Sequence, residues 1–230
     1  KVVFLKKCMG LRMFIVLKVF NDGNLACFLD EDRGKFIAHY SPSRPYMKLI
    51  PGSLVRGDLV QGGGRYARLN NVTLDYLGLA GGQNSQFFLY FLLELAYLFL
   101  PQHDSAPESY LFLRSSIESS ALIWCNDRPG FGVVLSIFFL EGLGFTAPES
   151  LTMRVDIQQM LDGWSDWVEL EKAGSELTLP QALVLKYDSL WGDSWLWISD
   201  CLRDHPQFKK IEKKWLGLLH ENTGVGRGKI

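Results

Sequence analysis

Three clusters of turn residues constrain this chain most, because they cut its first 80 positions into short pieces too brief for ordinary helices. The clusters are Asn21-Asp22-Gly23-Asn24, Glu31-Asp32-Arg33-Gly34 and Gly62-Gly63-Gly64. The first and third supply residues that tolerate the positive φ of tight hairpin turns. Between and around them, residues 14–20, 25–29 and 35–40 are rich in β-branched and aromatic side chains and read as strands. Ser41-Pro42-Ser43-Arg44-Pro45 is predicted to be a loop, since its prolines have no N–H to give a sheet ladder. Residues 53–60 and 65–77 then form a further hairpin across the triple glycine. Five short, evenly spaced strands with one Pro-broken connection suit a small closed barrel.

Composition and period change over residues 78–85, and Gly81-Gly82 marks the expected domain boundary. Residues 87–100 are apolar on nearly all sides, which predicts a helix in the middle of a bundle. The run holds Glu94 and falls short of the roughly 20 residues needed to span a bilayer. Pro107 opens a second helix, on which Tyr110, Leu113, Ile117, Ala121 and Trp124 recur at spacings of 3 or 4. Residues 133–143 make a third, closed by Gly144, and shorter helical patterns follow at 180–190 and 198–203. A last helix over 206–219 puts Phe208, Ile211, Trp215 and Leu218 on one face and Lys209, Lys210, Lys213 and Lys214 away from it. The expected class is therefore α+β, with a five-stranded barrel in residues 1–80 and an all-helical domain in residues 84–230.

Charge divides along the same line. Residues 1–82 carry 12 Lys and Arg against 6 Asp and Glu, whereas residues 83–230 carry 12 against 19. The small net charge of -1 thus conceals a first part at +6 and a remainder at -7, so a polyanion is expected to meet the barrel alone. Residues in catalytic arrangements are sparse. His39, His103, His205 and His220 are far apart and in no triad or metal motif. Gly62-Gly63-Gly64-Arg65 is flanked by strands on both sides, whereas a phosphate-cradling loop leads into a helix. Glu169, Glu171 and Glu176 lack the spacing of a calcium loop. Cys8, Cys27, Cys125 and Cys201 lie at least 19 positions apart, so no pair has zinc-ligand spacing. No enzyme activity, cofactor or metal is expected. The scattered cysteines fit a reducing compartment, and residues 1–12 lack the cleavage site of a secretory leader, so the expected location is the cytoplasm.

What the barrel segment does offer is cations interleaved with aromatic rings. Lys18, Arg33, Lys35, Arg44, Lys48, Arg56, Arg65 and Arg68 alternate along the chain with Tyr40, Tyr46 and Tyr66. Single-stranded nucleic acid is held by cations that track phosphates and by rings on which bases stack. These eleven residues are the candidate DNA-binding set.

The order of these segments resembles the bacterial recombination mediator family RecO. The resemblance rests on the run 15–25 into Glu31-Asp32-Arg33-Gly34-Lys35, the basic Ser43-Arg44-Pro45, and an apolar helix ending at Leu98-Phe99-Leu100-Pro101. Phe138-Phe139-Leu140-Glu141-Gly142-Leu143-Gly144-Phe145 is similar to the helix end that precedes the family's central loop. The likeness covers about residues 13–150, and the absence of cysteine between 126 and 200 matches the members without a zinc knuckle. It implies an OB-like barrel and a DNA repair and recombination mediator that is not an enzyme. Such a protein binds single- and double-stranded DNA, anneals complementary strands, and with RecR helps load RecA onto DNA coated by single-strand-binding protein. It also implies capture of that protein's acidic C-terminal tail by the helical domain, with Arg114 and Arg128 as candidate contacts. Each of these arginines has a nearby carboxylate, Glu118 or Asp127, with which it can pair instead. The competing reading is an OB-fold adaptor whose barrel binds RNA or an acidic protein.

Overall fold

The structure is a computed structural model and describes residues 12–20, 24–44, 47–60, 65–77, 82–118, 129–146, 191–203 and 206. Five strands appear in the first part: β1 (Arg12–Val19), β2 (Leu25–Asp30), β3 (Gly34–Pro42), β4 (Leu54–Val60) and β5 (Ala67–Tyr76). They close into a barrel in the order β1-β2-β3-β5-β4, with β4 returning to pair with β1. All pairings are antiparallel except β3 with β5. A closed five-stranded barrel with this strand order is compatible with an OB-like fold.

Alternation decides what fills the barrel. Phe14 and Val16 of β1, Ala26 and Phe28 of β2, and Phe36, Ala38 and Tyr40 of β3 point inward, joined by Val55, Leu69, Val72 and Leu49. Phe28 and Phe36 stack at 5.7 Å, and Phe14 meets both rings edge-on. Fully burying side chains of this size contributes about 2–3 kcal/mol each.

β3 runs longer than its sequence suggests. Pro42 lies in its last position, opposite Val72, instead of in the loop. The missing N–H costs nothing there, because the next amide, that of Ser43, donates to the Val72 carbonyl (2.8 Å). The β2–β3 turn is built on Asp30, whose buried Oδ1 accepts from the amides of Asp32 (3.1 Å) and Arg33 (2.9 Å). Arg12 closes over the same turn, 2.9 Å from Asp32. Gly34 completes it at φ +66°.

Four helices are described: α1 (Gln83–Phe99), α2 (Pro107–Glu118), α3 (Pro129–Gly142) and α4 (Trp191–Arg203). The compact units do not follow the linear boundary at Gly81-Gly82. One comprises Lys1–Leu79 with Leu93–Arg114, the other Ala80–Leu92 with Ser115–Ile230. In the first unit, Tyr110 and Leu113 of α2 are buried, as their helical spacing requires. In the second, Phe87, Phe88 and Phe91 of α1 are buried, and α3 packs with α4. α3 begins at Pro129, four residues earlier than the hydrophobic run suggests, because Pro is well suited to a first helical turn. Gly132 within it faces the Phe88 ring, where a Cβ would come within 2.2 Å of the ring carbons. The helix ends on Gly144 at φ +92°, with the Phe145 amide reaching back to the Leu140 carbonyl (3.1 Å). Ala121, Trp124 and the helices expected over 180–190 and 206–219 lie outside the described residues, Pro206 excepted.

Candidate nucleic-acid interface

The barrel's outer surface has a covered side and an open side. On the covered side, Ile15, Cys27 and Leu29 point outward and are nevertheless fully buried. Residues 93–114 lie over them. The Tyr110 hydroxyl donates to the Met13 carbonyl (3.2 Å), the His103 amide to the Lys35 carbonyl (2.9 Å), and the Ser105 hydroxyl to the Glu31 carbonyl (3.2 Å). Tyr97 anchors the centre, with its ring 4.2 Å from the Lys18 ammonium, 5.4 Å from that of Lys35 and 6.5 Å from the Phe20 ring.

Lys35 has a defined task at this junction. Its ammonium donates to the Tyr97 carbonyl, one of the last four of α1, which no residue of the helix can satisfy. α1 has no basic residue in its own last turn, so β3 supplies the cation that its C-terminus favours. Burial lowers the Lys35 pKa from its ordinary value, an effect partly opposed by the neighbouring Cys27 thiol. Burial also pushes the Cys27 thiol up to about 12 and raises the Tyr97 phenol. Such a thiol is a small core group rather than a nucleophile.

This arrangement redistributes the candidate residues. Tyr40 sits inside the barrel, edge-on to Phe28, and offers no ring to a base. Lys35 is buried, and Lys18 is engaged with Tyr97. Arg33 is half-buried in the β2–β3 turn, at the other end of β3 from the open side. Arg56 is tied to Asp75 at 2.6 Å. Arg114 lies beside the Tyr110 hydroxyl, whose pKa burial raises and the Arg114 charge lowers. Tyr46 and Arg128 lie outside the described residues.

The open side is the outer face of β3, β5 and β4. Arg65 and Tyr66 lead into β5, and the Arg65 guanidinium lies 5.4 Å from the Tyr66 ring centre. His39 of β3, exposed, meets the same ring edge-on at 5.7 Å. Arg68 of β5, also exposed, stands directly across from His39 in the parallel pairing. Arg44 and Lys48 are exposed in the connection from β3 to β4, whose start is held beside β5 by the Ser43–Val72 hydrogen bond. Among the described residues, Arg44, Lys48, Arg65 and Arg68 form no ion pair. The acids of this face are engaged elsewhere, Asp58 with the Asn71 amide (2.8 Å) and Asp75 with Arg56. The result is a pair of arginines, Arg65 and Arg68, beside the exposed His39 and the half-buried Tyr66, with Arg44 and Lys48 exposed in the adjoining connection.

No family model and no curated protein matches this chain. The reading of the interface therefore rests on its own geometry. Among the described residues, no group of three or more His, Cys, Asp or Glu is placed to hold a metal ion. No described helix is long and apolar enough to cross a membrane. His39 is the residue that sequence reasoning left out of the set. Its signal was present in the alternation of β3, where Phe36, Ala38 and Tyr40 point inward and send His39 out.

Proposed function

We propose that this protein binds single-stranded DNA through the β3–β5–β4 face and acts, without bond-breaking chemistry, as a repair and recombination mediator of the RecO type. The observation that carries the DNA-binding part is the cluster of His39, Arg65, Tyr66 and Arg68, cationic and aromatic together. The guanidinium groups of Arg65 and Arg68, with Arg44 and Lys48 further along, follow the phosphates. Tyr66 receives unstacked bases, which double-stranded DNA does not expose. Four phosphate contacts on a single strand give a slope of log K against log salt of about -2.8. Annealing follows from holding a strand by its backbone with bases available for pairing.

The mediator role draws on the resemblance in the sequence and on the barrel's strand order. Partners proposed with it are double-stranded DNA, RecR and the acidic tail of single-strand-binding protein. Arg114, which lies beside Tyr110, is the described candidate contact for that tail.

Photo-cross-linking tests the interface directly. An oligothymidylate carrying bromodeoxyuridine is expected to cross-link to the peptide that contains Tyr66, and Tyr66→Ala to reduce the yield several-fold. Cross-links confined to the helical segments would refute this placement. A strand-annealing assay with complementary oligonucleotides tests the mediator role separately, and no acceleration over protein-free annealing would count against it.

A further inference from the structure

Among the described residues, the open face holds one imidazole, that of His39, and histidine is the side-chain type that serves as a proton switch near neutral pH. Its surroundings make a charge there consequential. On β5, Arg68 is its direct cross-strand partner, and the neutral Tyr66 phenol ring lies 5.7 Å away with Arg65 behind it. On β2, its partner is the apolar Leu25. Beyond β5, the acid on β4 is Asp58, which accepts the Asn71 amide. Among the described residues, no carboxylate forms an ion pair with His39. A protonated His39 therefore stands beside Arg68 as a like-charge pair on adjacent strands, an arrangement that is unfavourable until an anion bridges it.

We infer that His39 is a proton-dependent phosphate contact, so that the protein takes up a proton on binding single-stranded DNA and holds it more tightly as the solution acidifies. The inference rests on the proposed DNA-binding reading and adds its regulation. A phosphate placed between His39 and Arg68 relieves their repulsion and favours the imidazolium. By linkage, protonation then favours the phosphate to the same degree. An arginine side chain stays charged at any such pH, so binding persists at neutral pH and only the increment varies.

The test is fluorescence anisotropy with a labelled oligothymidylate of about 16 nucleotides, long enough for one barrel. Thymine carries no group that titrates in this range, which leaves the protein as the source of any response. Between about pH 8 and about pH 5.5, the wild-type protein is expected to gain at least fivefold in affinity. Its salt slope should steepen by about 0.7, the increment for one more contact on a single strand. His39→Gln should lose this response, its two affinities agreeing within about twofold. His39→Lys should bind independently of pH and more tightly than wild type near pH 8. His103→Gln, on the covered side, should keep the wild-type response. Binding by wild type without a pH response, or an undiminished response in His39→Gln, overturns the inference and leaves the DNA-binding reading standing. No binding by wild type at either pH overturns both.

Discussion

Gly34 is where the packing of residues 93–114 on the barrel can be tested by a single methyl group. Its φ of +66° lies in the left-handed region, where an alanine costs about 1 kcal/mol. The larger effect is steric. A Cβ on Gly34 would lie 1.6 Å from the Asp104 carbonyl oxygen and 2.6 Å from its carbon, both backbone atoms that cannot rotate away. The segment around Asp104 must retreat by roughly 1.5–2 Å to restore ordinary contact distances. That movement breaks the His103–Lys35 and Ser105–Glu31 hydrogen bonds, worth about 1 kcal/mol each. The expected destabilisation of Gly34→Ala is about 3–4 kcal/mol, the backbone cost and the two hydrogen bonds with some loss of packing. Urea denaturation measures it, as a fall in midpoint at constant m. Gly144→Ala is the control, since Gly144 has φ +92° but nothing within 4 Å of a Cβ. It should cost about 1 kcal/mol, the backbone strain alone. If the two variants lose stability equally, within about 0.5 kcal/mol, Asp104 does not approach Gly34 and residues 93–114 do not cover the β2–β3 turn.

Other consequences are open to measurement. Gly132→Ala should destabilise despite the roughly 1 kcal/mol that alanine normally gains in a helix, because its Cβ meets the Phe88 ring, whereas Gly142→Ala, with open space around it, should be neutral or stabilising in thermal unfolding. In a variant with Cys8, Cys125 and Cys201 replaced by Ser, Cys27 should resist alkylation near neutral pH until the protein unfolds, since a thiol raised from 9.0 to about 12 has roughly a thousandth of the thiolate. Rapid native-state labelling would contradict this. Between pH 9.0 and about 12 the unfolded Cys27 has lost a proton that the folded thiol keeps, so stability falls with rising pH by up to about 1.4 kcal/mol per unit. Lys35, lowered on folding, acts in the opposite sense up to 10.5, so the comparison of wild type with Cys27→Ala isolates the thiol.

The barrel was legible in the sequence because its evidence is local. Asp30 to Gly34 specify their own turn, and the 2-residue alternation of β3 sorts Phe36, Ala38 and Tyr40 from the residues between them. Which outward residues meet solvent is not local, since it depends on a segment some 60 positions away. Lys18 and Lys35 therefore looked like surface cations while Tyr97 covers them. One signal did point to the cover. Leu25, Ala26, Cys27, Phe28 and Leu29 are apolar without alternation, which a strand shows when both its faces are buried. Tyr40 was misplaced for a different reason: an aromatic ring suits a stacking platform and a barrel core equally, and only the register of β3 separates them. Pro42 escaped because a strand's last residue can do without its N–H, which a rule against proline in ladders overlooks.

The central claim is that the open face, not the covered one, meets DNA, and salt dependence of oligothymidylate binding tests it most directly. Wild type should show a slope of log K against log salt of about -2.8 at neutral pH, and Arg65→Ala combined with Arg68→Ala should reduce its magnitude by about 1.4. Lys18→Ala, whose ammonium lies against Tyr97, should leave the slope unchanged. An unchanged slope in the double variant, or a reduced slope in Lys18→Ala, would contradict the account.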